Sequence, residues 1–171
     1  LHDMYVSDIE HITPHGGSIR VIAHKNGLTV KKTQRLKTLL AKERKTLTLS
    51  SMKNFRKRSE SYVRAFKKKL ETYKKSGVKV AGYSAPARVS TICNYGNIGS
   101  ELIEFLVDDS PLKQNRHSPG THIPIVHKDH LEKSGADLLV VFAYEYLDDI
   151  KKKTAGKQYR YLIPIPPREV K

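Results

Sequence analysis

Residues 78–88 read VKVAGYSAPAR, and this stretch decides how the C-terminal half of the chain is expected to fold. Residues 78–83 have the apolar character of a short strand. A turn of small residues with a proline, 82–88, leads from that strand into a helix predicted to run to Tyr95. A strand that passes through a tight turn into a helix begins a βαβ unit.

The same alternation continues along the rest of the chain. Strands are predicted at 103–107, 122–126, 138–142 and 159–165, and helical segments at 129–134 and 146–153. Strands that alternate with helices imply a parallel sheet with right-handed crossovers. We therefore predict an α/β fold, with a Rossmann-like parallel-sheet domain over residues 77–171.

Residues 1–30 have a different pattern. A strand of β-branched residues is predicted at 19–23, and residues 6–12 can pair with it as a hairpin. Because two strands cannot bury a core alone, we expect this segment to belong to a larger sheet whose remainder lies outside the chain. The start at Leu1, without an initiator Met, favours the same interpretation, that of a piece of a longer protein.

Residues 31–76 form a basic connector between these two parts. The chain carries 32 Lys and Arg against 17 Asp and Glu, and 18 of the basic residues but only three acidic ones lie between Lys31 and Lys79. A long basic amphipathic helix is predicted here, with its apolar stripe formed by Met52, Phe55, Tyr62, Val63, Phe66, Leu70 and Tyr73. Its basic face is either a solvated surface or a footprint for polyanions such as nucleic acid. Aromatic residues confined to the apolar stripe argue against base stacking.

Composition excludes several classes of protein. A chain of 171 residues can bury a hydrophobic core without stabilisation by disulfides or metals. The single cysteine, Cys93, excludes both a disulfide framework and a cysteine-rich zinc site in this chain. No apolar run approaches the roughly 20 residues of a membrane span, and the first residues do not form a secretory signal. We expect a cytoplasmic location and no membrane partner.

The turn at 82–88 is the first candidate site, because ligands of such folds bind beyond the carboxyl ends of the strands. Its small residues would let backbone amides approach a phosphate at a helix N-terminus, with Arg88 as countercharge. The turn lacks the G-x-G-x-x-G pattern, so a tight structural turn is the alternative. Asp108, which ends the second strand, either addresses a ribose hydroxyl or caps the next turn.

Two further candidates lie elsewhere in the chain. The polar loop 108–122 is either an anion-binding rim or a surface connector. Its basic residues are Lys113, Arg116, His117 and His122. His15, beside two glycines, is either a general base that works near neutral pH or part of a surface turn.

Several runs occur in a recognisable order. They are PHGGSIR at 14–20, GYSAPAR at 82–88, PLKQ at 111–114, SPGTHIPI at 118–125 and IPIP at 163–166. Together with Asn94-Tyr95 and Val107-Asp108, they make the chain resemble the C-terminal half of the S-adenosylmethionine-dependent sugar-nucleotide C-methyltransferases. The resemblance covers about 1–25 and 77–167, and the basic connector adds little to it.

The resemblance implies an architecture. Members of this family combine a cysteine-rich zinc domain, a methyltransferase domain and a Rossmann-like C-terminal domain, with the sugar nucleotide between the last two. Residues 1–30 would then be the last strands of the methyltransferase domain. S-adenosylmethionine and zinc would bind parts that this chain lacks, so no cofactor is expected in the chain itself, and the fragment alone is expected to be inactive.

The resemblance also implies roles for individual residues. His15 is the candidate base that removes a proton from the sugar carbon beside a keto group. The residues implied to contact the substrate are Tyr83, Ser84, Ala87, Arg88, Asn94, Lys113, Arg116 and His122. The family usually has glycine in place of Ser84 and lysine in place of Arg88; arginine keeps the charge but adds a planar fork that pairs bidentately with phosphate.

The favoured function is therefore the sugar-nucleotide-binding portion of a C-methyltransferase of deoxysugar biosynthesis. The alternative is a non-catalytic, Rossmann-like module that binds a nucleotide or a polyanion, with the basic connector as a tether to nucleic acid or an acidic partner. A nicotinamide-dependent oxidoreductase is a third reading. The missing glycines count against it, and its support is analogy of fold alone.

Overall fold

The computed structural model describes residues 3–14, 17–25 and 30–170. The chain divides into two compact units, residues 1–56 and 57–171, and the boundary lies within one long helix, α2 (Leu49–Lys75). The predicted division into 1–30, 31–76 and 77–171 assigns a different role to each part of the chain. The two compact units do not test those roles, so this division stays a prediction.

The first unit is built on the predicted hairpin, which the structure confirms. Strands β1 (Met4–Ile12) and β2 (Ser18–Lys25) pair antiparallel, and helix α1 (Gln34–Thr46) follows. Asp8 ties the hairpin to α1: its carboxylate accepts hydrogen bonds from Thr33 Oγ1 at 2.5 Å and Arg35 Nε at 2.6 Å. The hydrogen bonds from Arg35 hold the pKa of this carboxyl well below its usual range.

The second unit contains a seven-stranded sheet. Its strands are β3 (Val80–Tyr83), β4 (Leu106–Val107), β5 (Arg116–His117), β6 (Pro124–Val126), β7 (Leu138–Val141), β8 (Arg160–Ile163) and β9 (Arg168–Val170). The spatial order is β5-β6-β4-β3-β7-β8-β9. The five central strands are parallel, and the two edge strands, β5 and β9, are antiparallel to their neighbours.

The order of the parallel strands positions the site. Numbered along the chain, these five strands lie in the order 3-2-1-4-5, so the direction of winding reverses between β3 and β7. At such a reversal the connections that leave two adjacent strands turn to opposite faces of the sheet and open a crevice beyond their carboxyl ends. We refer to the space beyond the carboxyl ends of β3 and β7 as the switch-point crevice.

Helices cover both faces of this sheet. They are α3 (Ala87–Gly96), α4 (Lys128–Ser134), α5 (Leu147–Lys153) and the C-terminal half of α2, with a 3₁₀ turn at Tyr144–Tyr146. Alternate residues of β7 join different core clusters: Leu138 and Val140 pack with Phe66 of α2, whereas Leu139 and Val141 pack with residues of α4 and α5. Because successive strand residues point to opposite faces, the sheet is the middle layer of three.

The structure differs from the sequence-based expectation at three points. The strands are shorter, since 103–107 was predicted and only Leu106–Val107 is paired. The antiparallel edge strands β5 and β9 were not predicted. Met52 and Phe55 belong to the predicted apolar stripe but are 47% and 58% exposed, because that stripe of α2 is buried only from Val63 to Tyr73. In the part of the chain that the structure describes, no helix combines the length and apolar composition that crossing a bilayer requires.

Candidate functional site

The turn after β3 forms one wall of the switch-point crevice. Ser84 adopts a left-handed backbone conformation with φ of 69°, and its amide donates to the Val107 carbonyl at 2.7 Å. Pro86 is the N-cap of α3 and has no side-chain acceptor to offer, so the amides of Ala87 and Arg88 have no partner within the helix. Ala87 is exposed. The turn thus presents backbone donors at the carboxyl edge, as the sequence predicts.

Gly82 has a packing role within β3. A Cβ atom at this position would lie 2.4 Å from Leu106 Cδ2 and 3.2 Å from Phe142 Cε2. Any side chain here would therefore require the buried side chains of Leu106 and Phe142 to repack. The glycine allows close packing inside the sheet, and the small-residue pattern does not by itself indicate phosphate binding at this residue.

Ser84 is the basis of a first prediction. A residue with a Cβ atom pays a steric cost in the left-handed region, and glycine does not. Ser84→Gly is expected to raise the free energy of unfolding by about 0.5–1 kcal/mol, as measured by chemical denaturation. Ser90→Gly, the same change in the interior of α3, is the matched control and is expected to lower it by about 0.5 kcal/mol. Destabilisation by both variants would contradict the conformational argument.

Asp108 follows β4 and holds the turn after β3 in place. Its carboxylate accepts from the amides of Ala85 at 2.7 Å and Ser110 at 3.0 Å and from Lys113 Nζ at 3.1 Å. Burial opposes ionisation, but these donors outweigh it and lower the pKa of Asp108. The structure therefore favours the capping alternative, because the carboxylate already joins the turn after β3 to the loop after β4.

Lys113 contacts the same turn from the loop after β4. Besides its contact with Asp108, its ammonium group donates to the Ala85 carbonyl at 3.2 Å. The next residue, Gln114, donates from Nε2 to the Asp108 carbonyl at 2.9 Å. The PLKQ run thus folds back onto the turn after β3, which explains why two runs distant in sequence meet.

Arg88 extends from the first turn of α3 to the loop after β7. Its Nη1 donates to the Phe142 carbonyl at 3.1 Å and to Glu145 Oε2 at 3.0 Å, and its Nη2 donates to Glu145 Oε1. The guanidinium carbon lies 4.6 Å from the centre of the Tyr144 ring. The hydrogen bonds that Arg88 donates to Glu145 raise the pKa of Arg88, so the side chain is a permanent cation held between α3 and the loop after β7.

Tyr83 lies on the other face of the sheet, at the end of β3. Burial raises the pKa of its hydroxyl to about 12, and that hydroxyl donates to Asp109. Its ring lines a cavity of about 450 Å³ between α4 and α5, together with Leu131, Lys153 and Tyr159. Lys153 reaches Asp109 at 2.5 Å. Tyr83 is thus near the carboxyl edge but separated from Arg88 by the sheet.

The structure does not bring all the candidate residues together. Asn94 donates from Nδ2 to the Pro119 carbonyl at 2.9 Å. Pro119 and His122 lie in the turn between β5 and β6, which stands at the amino end of β6 because these strands are antiparallel. Asn94 and His122 therefore lie at the amino ends of the parallel strands, whereas the crevice lies beyond the carboxyl ends. Arg116 is exposed on the edge strand β5.

His15 and Cys93 are two further residues that the sequence analysis singled out. His15 lies outside the described residues, so the alternatives for it stay open. Cys93 is buried, and burial raises the pKa of its thiol to about 12, so it packs as an apolar residue. Across the described ranges, no three His, Cys, Asp or Glu side chains lie close enough together to hold a metal ion.

Sequence reasoning missed Tyr144 and Glu145. Both residues lie in the 3₁₀ turn that begins three residues after the end of β7. The available signal was position: in an α/β sheet whose order reverses, the loop after the fourth strand faces the turn after the first. Recognising it required the strand order, which spacing along the chain does not specify.

Comparison with known proteins places these features in context. The chain matches the family described as the C-methyltransferase C-terminal domain over residues 13–166. It is 27% identical over 170 residues to the C-methyltransferase NovU of Streptomyces niveus, and the alignment covers 96% of this chain and 40% of that relative. The chain thus spans less than half the length of the curated relative that it matches.

Proposed function

The chain belongs to the C-methyltransferase C-terminal domain family, and we propose that it is the part of an S-adenosylmethionine-dependent C-methyltransferase that binds a nucleotide-linked keto-sugar. In this proposal the domain over residues 77–171 is Rossmann-like and the diphosphate lies in the switch-point crevice. The substrate-binding residues at that edge are Ser84, Ala87, Arg88 and Lys113. Tyr83, Asn94, Arg116 and His122, which the resemblance also implies as substrate contacts, lie outside that crevice and are not assigned to the diphosphate.

One observation carries the proposal. Arg88 is a cation held at the point where the strand order reverses, beside amides of α3 that have no partner in the helix. A guanidinium group next to free backbone donors suits a diphosphate, whose oxygens accept from both. Lys113 adds a second positive charge on the other side of the turn.

The proposed reaction needs a base and a methyl donor. The base removes the proton from the sugar carbon beside the keto group, and the electron pair left on that carbon forms a bond to the incoming methyl carbon. S-adenosylmethionine, bound outside this chain, supplies that methyl group from its sulfonium, whose sulfur keeps the electron pair of the broken C–S bond. His15 is the proposed base. Zinc is assigned to a domain outside this chain, because Cys93 is its single cysteine.

Calorimetric titration tests the proposal. The full chain is titrated with a thymidine diphosphate sugar, ATP, NAD and S-adenosylmethionine at low and physiological salt, where the Debye length is about 8 Å. We expect selective binding of the sugar nucleotide that persists at the higher salt. Similar binding of every phosphate compound that disappears with salt would instead support a polyanion-binding module acting through the exposed basic side chains of α1 and α2.

Arg88→Ala is expected to weaken binding of the sugar nucleotide by about tenfold or more, since hydrogen bonds to charged groups contribute about 1.5–3 kcal/mol. Arg44→Ala removes the same charge from α1 and is the matched control. Equal weakening by the two variants would point to net charge rather than to the crevice.

A further inference from the structure

The hydrogen-bonding capacity of Arg88 is only partly used. A guanidinium group has five N–H donors in one plane. Three are engaged: one Nη1 hydrogen by the Phe142 carbonyl, the other by Glu145 Oε2, and one Nη2 hydrogen by Glu145 Oε1. Glu145 thus occupies the end of the guanidinium group, where Nη1 and Nη2 point away from the chain.

The two remaining donors lie on one side of the group. They are the Nε hydrogen and the second Nη2 hydrogen, and neither has an acceptor among the described residues. Parallel donors on this side form the fork that pairs bidentately with two oxygens of a phosphate or carboxylate. Arg88 can therefore bind an anion without leaving Glu145.

We infer that Glu145 is a positioning residue, which together with the Tyr144 ring fixes the guanidinium plane of Arg88 so that its Nε–Nη2 side is presented to a phosphate of the ligand. The inference rests on the proposed function for the identity of that ligand. An unrestrained arginine loses rotamer freedom when it binds, whereas this one has already lost it on folding. The Phe142 carbonyl, at the end of a buried strand, adds a rigid third contact.

The carboxylate of Glu145 also has an opposing effect, because its negative charge lowers the local positive potential. The two effects can be separated experimentally. Glu145 repels a bound anion whether or not Arg88 is present, whereas it can position the guanidinium group only when Arg88 is present. A double-mutant cycle between these residues therefore distinguishes them.

The test compares the full chain with Arg88→Ala, Glu145→Ala and the double variant, titrated with inorganic pyrophosphate and with a thymidine diphosphate sugar at physiological salt. Glu145→Ala is expected to weaken binding about tenfold when Arg88 is present, the size of one charge-assisted contact. In the Arg88→Ala background it is expected to leave binding unchanged or slightly tighter. Glu145→Gln keeps one acceptor oxygen and should recover part of the loss.

Glu104→Ala, at the amino end of β4, removes the same charge far from the crevice and serves as the control. Thermal denaturation of each variant establishes that it is folded. A Glu145→Ala variant that binds pyrophosphate more tightly, or that loses affinity equally in both backgrounds, would overturn the inference. An Arg88→Ala variant that binds pyrophosphate as well as the wild type would overturn it too.

A second readout does not depend on binding. In the isotope-labelled chain, the Nη resonances of Arg88, assigned by their loss in Arg88→Ala, should be separate from one another because the contacts to Phe142 and Glu145 hinder rotation about the Cζ–Nη bonds, and they should merge in Glu145→Ala. Unchanged resonances would show that Glu145 does not order the guanidinium group. If the cycle holds for pyrophosphate but the sugar nucleotide binds no more tightly, the proposed function fails while the positioning role stands.

Discussion

Phe66→Ala is expected to lower the free energy of unfolding by about 3–5 kcal/mol, the usual cost of removing a buried phenylalanine side chain. Phe66 is fully buried on α2 and packs edge to face against the equally buried Phe142, with 6.4 Å between the ring centres. Leu70 lies in the same core cluster. The cavity left by the deletion would lie beside Phe142, whose carbonyl accepts from Arg88.

Denaturant unfolding of the full chain measures this effect when hydrogen exchange of the β3 and β7 amides reports on the unit 57–171. Leu112→Ala is the control, because it truncates a large apolar side chain of the same unit at a position that is 82% exposed. It is expected to change the free energy of unfolding by less than about 0.5 kcal/mol. Similar effects at the two positions would mean that the C-terminal half of α2 is not part of the sheet's core.

Asp108→Ala is expected to lower the free energy of unfolding by about 2–3 kcal/mol, because it leaves the amides of Ala85 and Ser110 and the ammonium of Lys113 without their acceptor. The two amides are only half-buried, so water can replace part of the hydrogen bonding that they lose. The expected loss of unfolding free energy is therefore smaller than for breaking a fully buried ion pair. The change also frees the turn after β3. We therefore expect Asp108→Ala to weaken ligand binding at Arg88, although Asp108 itself does not touch the guanidinium group.

The difference in unfolding free energy between the wild type and Asp108→Ala should depend on pH, and the sign of that dependence can be derived. The pKa of Asp108 is lowered in the folded chain, so its ionised form stabilises the fold fully above the unfolded value of about 3.9. That stabilisation disappears as the pH falls through the lower, folded value. The difference in unfolding free energy between wild type and Asp108→Ala should therefore be complete near neutral pH and shrink in acid below about pH 4.

Asp149→Ala supplies the comparison, since its carboxylate is 4.0 Å from Lys152 in an exposed pair. Such pairs contribute about 0–1 kcal/mol, and this variant should show little of the acid dependence. A difference for Asp108→Ala that stays constant between neutral and acid pH would assign the loss to packing rather than to the charge.

Much of the architecture could be predicted because it depends on local pattern. The structure contains all three predicted features: the apolar run at 78–83 forms β3, the small-residue turn follows it, and the predicted helix is α3. Strand bounds were less accurate, since pairing of Leu106 and Val107 depends on the neighbours they meet. The short edge strands β5 and β9 were missed because antiparallel edges of two or three residues have little periodicity of their own.

The candidate site was predictable only in part. The carboxyl-edge turn with Ser84 and Arg88 follows from its position after the first strand, and Lys113 from the PLKQ run. Asn94 and His122 were grouped with them by resemblance, but the antiparallel return of β5 places them at the opposite edge.

The sequence by itself determined the α/β alternation, the hairpin, the concentration of positive charge and the family, because each is carried by residue type and short-range order. Tertiary structure alone decided that Arg88 meets Glu145, that Asp108 caps the turn after β3 and that Gly82 lies against the buried side chains of Leu106 and Phe142. These depend on which strands are neighbours, and residues 57 positions apart, such as Arg88 and Glu145, come together only when the sheet has assembled in its order. The physical reason is that hydrogen bonds and close packing act over a few ångströms in space, whatever the separation along the chain.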